Sequence, residues 1–244
     1  MSNKLLFILL ILAIPLAGAA QTNKYSEIAK SVVQIGYSSA DIKTTIPLGT
    51  GFFVGDGKHV VTAGHVIIEY IKMINDNRGG FLTIKKSSET GTAKFSVSAV
   101  VENVDNVHDL AILKFDPNSV RSQWADFEIK SLPLAKEESE MGDEVFIIGH
   151  FSMDEHPIAS RGIVSGFVKI QVVLPVTELL LDALVNKGQS GSPVISLRTG
   201  EVVGVALSII PISDGSGSTR INSGISRAST LQSLKALINS PDVK

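Results

Sequence analysis

The 244-residue sequence contains no cysteine, and several other common features are also missing. Without a thiol the chain can form neither a disulfide framework nor a lipid anchor on cysteine, so a hydrophobic core must hold the fold, and the chain is long enough to build one. Basic and acidic residues number 22 and 24, and no basic block gives a reason to expect a nucleic-acid partner. No HExxH pattern or carboxylate cluster accompanies the five histidines, so neither a metal nor another cofactor is expected.

The first twenty residues differ in character from the rest of the sequence. Lys4 precedes an apolar run from Leu5 to Leu16, and small residues from Ala17 to Ala20 follow before the polar Gln21. This order is typical of a secretory signal peptide, and the apolar run is too short for a comfortable bilayer span. We therefore expect a signal peptide over residues 1–20 and a secreted or periplasmic mature protein without membrane contact. An uncleaved membrane anchor is the alternative.

Short β-type runs separated by turn residues dominate the mature chain. Six candidate strands precede a polar stretch at residues 116–136, at residues 31–37, 51–54, 59–63, 81–85, 93–101 and 110–115. Six more follow it, at residues 144–148, 158–164, 167–174, 178–182, 193–197 and 202–208. Two sets of six predict an all-β fold of two six-stranded antiparallel β-barrels, one over residues 21–120 and the other over 121–244. Apolar spacing over residues 231–238 predicts a C-terminal helix, and residues 65–74 can form a short one.

A serine lies in a glycine-flanked turn between Gly188 and Pro193. Small neighbours let the backbone bend tightly and turn its NH groups towards a substrate carbonyl. A serine hydroxyl is a poor nucleophile unless a base takes its proton and an acid orients that base. Because all five histidines precede Ser190, the α/β-hydrolase order, in which the histidine follows the serine, is excluded. A single Gly-x-Ser-Gly run also occurs in ordinary turns, so this motif identifies a catalytic serine only if a suitable histidine and acid accompany it.

A histidine and an aspartate in suitable positions precede this serine. His65 ends an apolar strand beside small residues that leave its ring approachable, and Asp109 stands at the start of another apolar strand. The order His, Asp, Ser and the context of each residue fit a catalytic triad. The neighbouring alternatives are Asp105, His108 and Ser192.

These segments resemble the three active-site blocks of trypsin-like, chymotrypsin-fold serine proteases: Thr62 to His65, His108 to Leu113 and Gly188 to Pro193. The resemblance is closest to the HtrA (Deg) proteases and covers nearly all of residues 25–240. Further segments similar to that family are Leu48 to Val54, Gly142 to Gly149, Arg161 to Gly166 and Asp182 to Asn186. HtrA proteases usually carry a PDZ domain after the protease, and none is expected here because the chain ends soon after the predicted helix.

The resemblance implies a role for each of these residues. His65 would be the general base and then the general acid, Asp109 its orienting partner, and Ser190 the nucleophile, while the backbone NH groups of Gly188 and Ser190 would form the oxyanion hole. The expected function is a secreted serine endopeptidase that cleaves proteins or peptides through an acyl-enzyme. A catalytically silent binding or chaperone-like module of the same fold is the alternative, and the oligomeric state stays open.

The resemblance also implies a substrate pocket lined by Leu184, Ala206, Leu207 and Ser208. Its base would be largely apolar, with no carboxylate at the position that would hold a lysine or arginine side chain. Glutamyl endopeptidases use a histidine where Ala206 stands, so selection for glutamate lacks its partner as well. Cleavage after small or medium apolar residues is therefore expected.

Two positions near the serine depart from the related families. Gln189 occupies the place where trypsin-like zymogens have an aspartate that pairs with a new amino terminus, so activity is expected not to depend on a particular N-terminal residue. Ser192 replaces the usual second glycine after the nucleophile, and the turn is expected to tolerate its hydroxymethyl group.

Overall fold

A computed structural model describes residues 24–41, 45–77, 79–87, 94–119, 129–151, 156–171, 174–213, 220–241 and 243. The signal peptide predicted for residues 1–20 and the boundary predicted at residues 120 and 121 lie outside the described residues. No described helix is both long enough and apolar enough to cross a membrane.

In the residues that the structure describes, twelve strands form two closed barrels. The first barrel consists of β1 (Val32–Ser38), β2 (Thr45–Val54), β3 (His59–Ala63), β4 (Phe81–Ser87), β5 (Lys94–Asp105) and β6 (Leu110–Lys114), in the spatial order β1-β2-β3-β6-β5-β4. The second consists of β7 (Glu144–His150), β8 (Pro157–Gln171), β9 (Pro175–Leu181), β10 (Pro193–Ser196), β11 (Val202–Ser213) and β12 (Arg220–Ser229), in the order β10-β11-β12-β9-β8-β7. All pairs of neighbouring strands are antiparallel. The predicted fold class is confirmed.

Two details of the strand prediction are wrong, and their effects on the strand count cancel. The candidates at residues 158–164 and 167–174 are one continuous strand, β8, which bends at an irregularity between Val164 and Gly166. Ser165 and Gly166, which lie between the two candidates, are typical of turns, yet the strand continues through them. The last strand of the second barrel, β12, was missed because its small and polar residues lack the apolar alternation of a typical strand.

Two of the helices in the described ranges pack against the barrels. Helix α1 (Gly64–Asn77) follows β3 directly and buries Val66 and Ile67, while Tyr70, Met73 and Ile74 extend the same helical face towards the core. It extends beyond the predicted residues 65–74. Helix α2 (Leu231–Ile238) begins at the predicted position, where the Thr230 side chain accepts a hydrogen bond from the Ser233 NH as its N-cap.

The C-terminal helix α2 packs against the cores of both barrels. Leu234 and Leu237 belong to the apolar cluster that fills the first barrel, whereas Leu231 belongs to the cluster of the second. Burying each of these side chains stabilises the fold by about 1.5–3 kcal/mol. Phe146 and Ile148 of β7 also pack into the first cluster, so the junction between the barrels is apolar and continuous.

Candidate active site

Strand pairing in the first barrel brings His65 and Asp109 together. β3 and β6 are antiparallel neighbours in which Ala63 faces Leu110, so the residues that follow β3 and precede β6 meet at the same end of the barrel. Asp109 Oδ2 lies 2.8 Å from His65 Nδ1, and Asp109 Oδ1 accepts a hydrogen bond from the His65 backbone NH at 2.7 Å. The carboxylate therefore fixes both the position of the histidine backbone and the orientation of its ring.

The backbone of Asp109 adopts an uncommon conformation that supports this arrangement. Its φ is +54°, in the left-handed region, where aspartate is tolerated better than most residues. Its carbonyl accepts a hydrogen bond from the Gly64 NH at 2.9 Å. A Cβ at Gly64 would lie 3.1 Å from Asp109 Oδ1, so the absence of a side chain there gives the carboxylate room. Such locally strained conformations are typical of functional sites.

Ser190 lies in the turn that precedes β10. The flanking glycines, Gly188 and Gly191, have φ angles of +96° and +88°, which side chains with a Cβ rarely adopt. The Ser190 carbonyl accepts a hydrogen bond from the Thr50 NH at 2.8 Å, which ties the turn to β2 of the first barrel. The turn of the second barrel is thus fixed against the first.

Contacts around Gly49 place Ser190 beside the start of helix α1. A Cβ at Gly49 would lie 2.9 Å from the Ser190 carbonyl oxygen and 3.2 Å from Val66 Cγ1, and Val66 is adjacent to His65. The structure therefore brings His65, Asp109 and Ser190 to the junction of the barrels. The side chain of His65 is 40% exposed, so its outer ring nitrogen is within reach of a substrate.

The two groups predicted to bind an oxyanion are available for that role. Neither the Gly188 NH nor the Ser190 NH donates a hydrogen bond to any residue in the described part of the chain. The Ser190 hydroxyl, in contrast, donates to the carbonyl of Leu207 at 2.9 Å. In this conformation the proton of the hydroxyl points to β11, and it has to be redirected before it can be donated to His65.

A second histidine–aspartate pair repeats the geometry of the first. Asp105 Oδ2 lies 2.6 Å from His108 Nδ1, and Asp105 Oδ1 accepts from the His108 backbone NH at 3.0 Å. Burial raises the pKa of Asp105, but the hydrogen bonds from the His108 ring and from the His108 and Val107 NH groups outweigh it, so the pKa lies below its ordinary value. This pair closes the turn between β5 and β6, immediately before Asp109.

An ion pair in β9 and β12 was missed because β12 was not predicted. Arg227 Nε lies 2.5 Å from Glu178 Oε2, and a second hydrogen bond of 2.8 Å makes the pair bidentate. Glu178 is buried, and the hydrogen bond that Arg227 donates to it raises the pKa of Arg227. The charges of Glu178 and Asp109 raise this pKa further, and together these effects outweigh the partial burial of the guanidinium. A half-buried cation thus interacts electrostatically with the carboxylate of Asp109.

The residues predicted to line a substrate pocket differ in exposure. Leu184 is 44% exposed and Ser208 is half-buried, whereas Ala206 and Leu207 are fully buried. The side-chain surface open to a substrate at this position therefore comes from Leu184 and Ser208, and the main contribution of Leu207 is its carbonyl. Asp182 is exposed on the same side of the extended segment as Leu184, two residues earlier.

The two unusual positions near Ser190 are both fully buried. Gln189 Oε1 accepts a hydrogen bond from the Asn186 backbone NH at 2.9 Å, so a neutral side chain holds the turn. Ser192 is accommodated because it packs over Gly149, where any Cβ would overlap the Ser192 hydroxyl. No group of three or more His, Asp or Glu side chains in the described ranges is arranged to hold a metal ion.

Comparison with known proteins connects this site to a family. The trypsin-like peptidase domain matches residues 49–205, which include all three candidate catalytic residues. No curated protein sequence matches the chain. Among solved structures, Deg5 is similar with a TM-score of 0.64 and 21% identity over 93% of this chain and 98% of that one.

Two further solved structures are similar to the same extent. The serine endoprotease from Yersinia pestis gives a TM-score of 0.63 and 22% identity over 91% of this chain and 66% of that one. The Rv3671c protease from M. tuberculosis in its active form gives a TM-score of 0.63 and 19% identity over 98% of this chain and 92% of that one. At this identity the structural likeness supports the fold, and the family rests on the domain match.

Proposed function

Because the chain belongs to the family of trypsin-like peptidases, we propose that it is a serine endopeptidase with His65, Asp109 and Ser190 as its catalytic triad. The observation that carries the proposal is the double contact of Asp109 with His65, to the backbone NH at 2.7 Å and to Nδ1 at 2.8 Å. A carboxylate accepting from Nδ1 holds the proton there and leaves the Nε2 lone pair free to act as a base.

The proposed reaction starts with rotation of the Ser190 hydroxyl away from Leu207. His65 Nε2 takes the hydroxyl proton while Ser190 Oγ attacks the scissile carbonyl, and the NH groups of Gly188 and Ser190 stabilise the resulting oxyanion. The imidazolium then gives its proton to the leaving amine, and the C–N bond breaks to form an acyl-enzyme. A water molecule, deprotonated by His65, hydrolyses the ester and regenerates Ser190.

A silent binding module is the second candidate function. The observation in its favour is the hydrogen bond from Ser190 Oγ to the Leu207 carbonyl, which directs the nucleophile's proton away from the base. A single rotatable bond separates the two orientations, and hydrogen bonds of an active site often become aligned only in the substrate complex. We therefore favour the enzyme.

A covalent probe distinguishes the two candidates. The mature protein is incubated with a fluorophosphonate and with casein at several pH values between about 6 and 9. We expect labelling and cleavage, both abolished by Ser190→Ala, and a loss of cleavage by several orders of magnitude for His65→Ala, with folding unchanged by circular dichroism. A folded wild-type protein that is neither labelled nor active would favour the binding module.

We further propose that the enzyme acts on proteins or peptides after export, because residues 1–20 have the pattern of a signal peptide. Expression of the full chain in a bacterial host, followed by fractionation and N-terminal sequencing, tests this. Mature protein that begins at Gln21 outside the cytoplasm is the expected result. Retention of residues 1–20 in a membrane fraction would support the uncleaved anchor instead.

A further inference from the structure

The turn that carries the proposed oxyanion groups is held by hydrogen bonds at both ends. The Gln189 NH donates to the Asn186 carbonyl at 2.9 Å, and Gln189 Oε1 accepts from the Asn186 NH at 2.9 Å. These bonds close the turn on itself. They do not tie it to the first barrel, on which His65 and Asp109 lie.

A buried threonine from the first barrel makes that connection. Thr50, on β2, is fully buried, and its hydroxyl lies 2.7 Å from the Gly188 carbonyl oxygen and 2.9 Å from the His150 backbone nitrogen. The backbone NH of His150 can only donate, so the threonine oxygen accepts from it and the hydroxyl proton must point to Gly188. The direction of both hydrogen bonds is thereby fixed.

This contact determines the orientation of one peptide plane in the turn. The peptide group between Gly188 and Gln189 is rigid, and it is held at its carbonyl by Thr50 and at its NH by Asn186. Gly188 itself has a φ of +96° and, as a glycine, can adopt many other conformations. The Gly188 NH lies in the preceding peptide group, which is joined to this one through the Gly188 Cα, so fixing the second peptide restricts the conformations in which the NH can face a substrate.

We propose that Thr50 is a positioning residue for the oxyanion hole: its hydroxyl fixes the Gly188 carbonyl and so aligns the turn of the second barrel with the histidine of the first. The proposal rests on the proposed function, because it assigns Thr50 a part in the same reaction. Thr50 also donates its backbone NH to the Ser190 carbonyl, so the same residue holds the carbonyl groups of both residues that flank Gln189.

Replacement of the hydroxyl by a methyl group isolates this effect. Thr50→Val keeps the shape and the β-branched side chain but leaves the Gly188 carbonyl without its donor and the His150 NH without its acceptor. Loss of a direct oxyanion donor lowers turnover about 10²–10³-fold. Displacement of the turn should cost less, so we expect kcat to fall about 10- to 100-fold per titrated active site with KM changed less than about threefold.

Two further variants separate positioning from a merely structural role. Thr50→Ser retains the hydroxyl and should restore kcat to within about threefold of the wild type. Thr83→Val is a matched control, since Thr83 is also buried on a strand of the first barrel and donates its hydroxyl to a backbone carbonyl, that of Gly36, at 3.1 Å. It should lower the melting temperature as Thr50→Val does, without lowering kcat.

Affinity for a peptide boronate, which forms a tetrahedral adduct with the serine, provides a second readout and should weaken in parallel with kcat. The assignment of Thr50 would be overturned by a Thr50→Val protein with wild-type kcat, or by a Thr50→Ser protein that is as impaired as Thr50→Val. In either case an active wild-type protein would leave the proposed function intact. A wild-type protein without activity or labelling would overturn both.

Discussion

Replacement of Asp109 by asparagine changes one carboxylate oxygen into an NH₂ group and nothing else in size or shape. The native carboxylate accepts from two donors of His65, the backbone NH at 2.7 Å and the ring Nδ1 at 2.8 Å. An amide can accept only with its oxygen. Because the backbone NH cannot become an acceptor, the asparagine oxygen must face it, and the NH₂ group then faces Nδ1.

This forced orientation produces the wrong tautomer of His65. Nδ1 has to accept from the amide, so the proton moves to Nε2, which can no longer take the proton of Ser190. Restoring the productive tautomer would set two donors against each other and cost about 2–6 kcal/mol, from about 1–3 for each unsatisfied donor. That range corresponds to a rate loss of about 30-fold to about 10⁴-fold. Loss of the charge that stabilises the imidazolium adds to this loss. We therefore expect kcat/KM to fall about 10⁴-fold, as in the analogous triad of trypsin.

The assay is kcat/KM on a peptide substrate at about pH 8, with folding checked by circular dichroism. Asparagine also tolerates the left-handed backbone of Asp109, so the fold should be retained. Asp105→Asn is the matched control, because Asp105 contacts the backbone NH and Nδ1 of His108 in the same manner. Its activity should stay within about threefold of the wild type. The reasoning fails if Asp109→Asn retains more than about a tenth of wild-type activity, or if Asp105→Asn loses as much.

Three further outcomes are expected. Activity should be equal for proteins beginning at Gln21, at an added methionine or after a short tag. The reasons are that Gln189 has no charge to pair with an amino terminus, that its Oε1 is already bonded to the Asn186 NH, and that Lys24 Nζ contacts the carbonyl of Leu197, just after the end of β10 that is far from Ser190. Activity confined to one natural terminus would contradict this prediction. Mass spectrometry of a denatured protein digested by this enzyme should show broad cleavage after Val, Ala, Ile or Leu, since each methylene buried in the pocket contributes only about 0.8 kcal/mol to substrate binding. Dominant cleavage after Lys, Arg or Glu would refute the apolar pocket. Asp105→Asn should lower the melting temperature at pH 7, because a carboxyl whose pKa is lowered by folding stabilises the protein above its unfolded pKa of about 3.9. The difference in melting temperature from the wild type should narrow as the pH falls through the lower pKa of the folded state. A difference that does not depend on pH would contradict this prediction.

The sequence was informative about the fold where strands are apolar and continuous. β3 was predicted with its observed ends, because His59 to Ala63 is an uninterrupted run between turn residues. β12 could not be predicted in this way, since its buried positions include the polar Ser226 and Ser229, and it is held as a strand by pairing with β9 and β11. Tertiary pairing overrides weak local propensity in such strands.

For the site, motif order pointed to His65, Asp109 and Ser190, which the structure places at one junction, but no motif indicates what supports them. The similarity of Leu48 to Val54 to the related proteases assigned Thr50 no role, and its hydroxyl gains importance only because two barrels meet there. The ion pair of Arg227 and Glu178 is likewise a diagonal contact between strands distant in sequence. Long-range contacts of this kind depend on strand register, which a single sequence does not specify.

The packing of Ser192 over Gly149 constrains the order in which this enzyme can acquire mutations. Any side chain introduced at position 149 collides with the buried Ser192 hydroxyl, so single substitutions there should be lost from a library selected for folded protein. Change of Ser192 to glycine removes the collision and must therefore come first. The later step still has to fit beside Thr50, whose hydroxyl oxygen lies 3.0 Å from a Cβ at position 149, and so only the smallest replacement, alanine, should appear in surviving double variants.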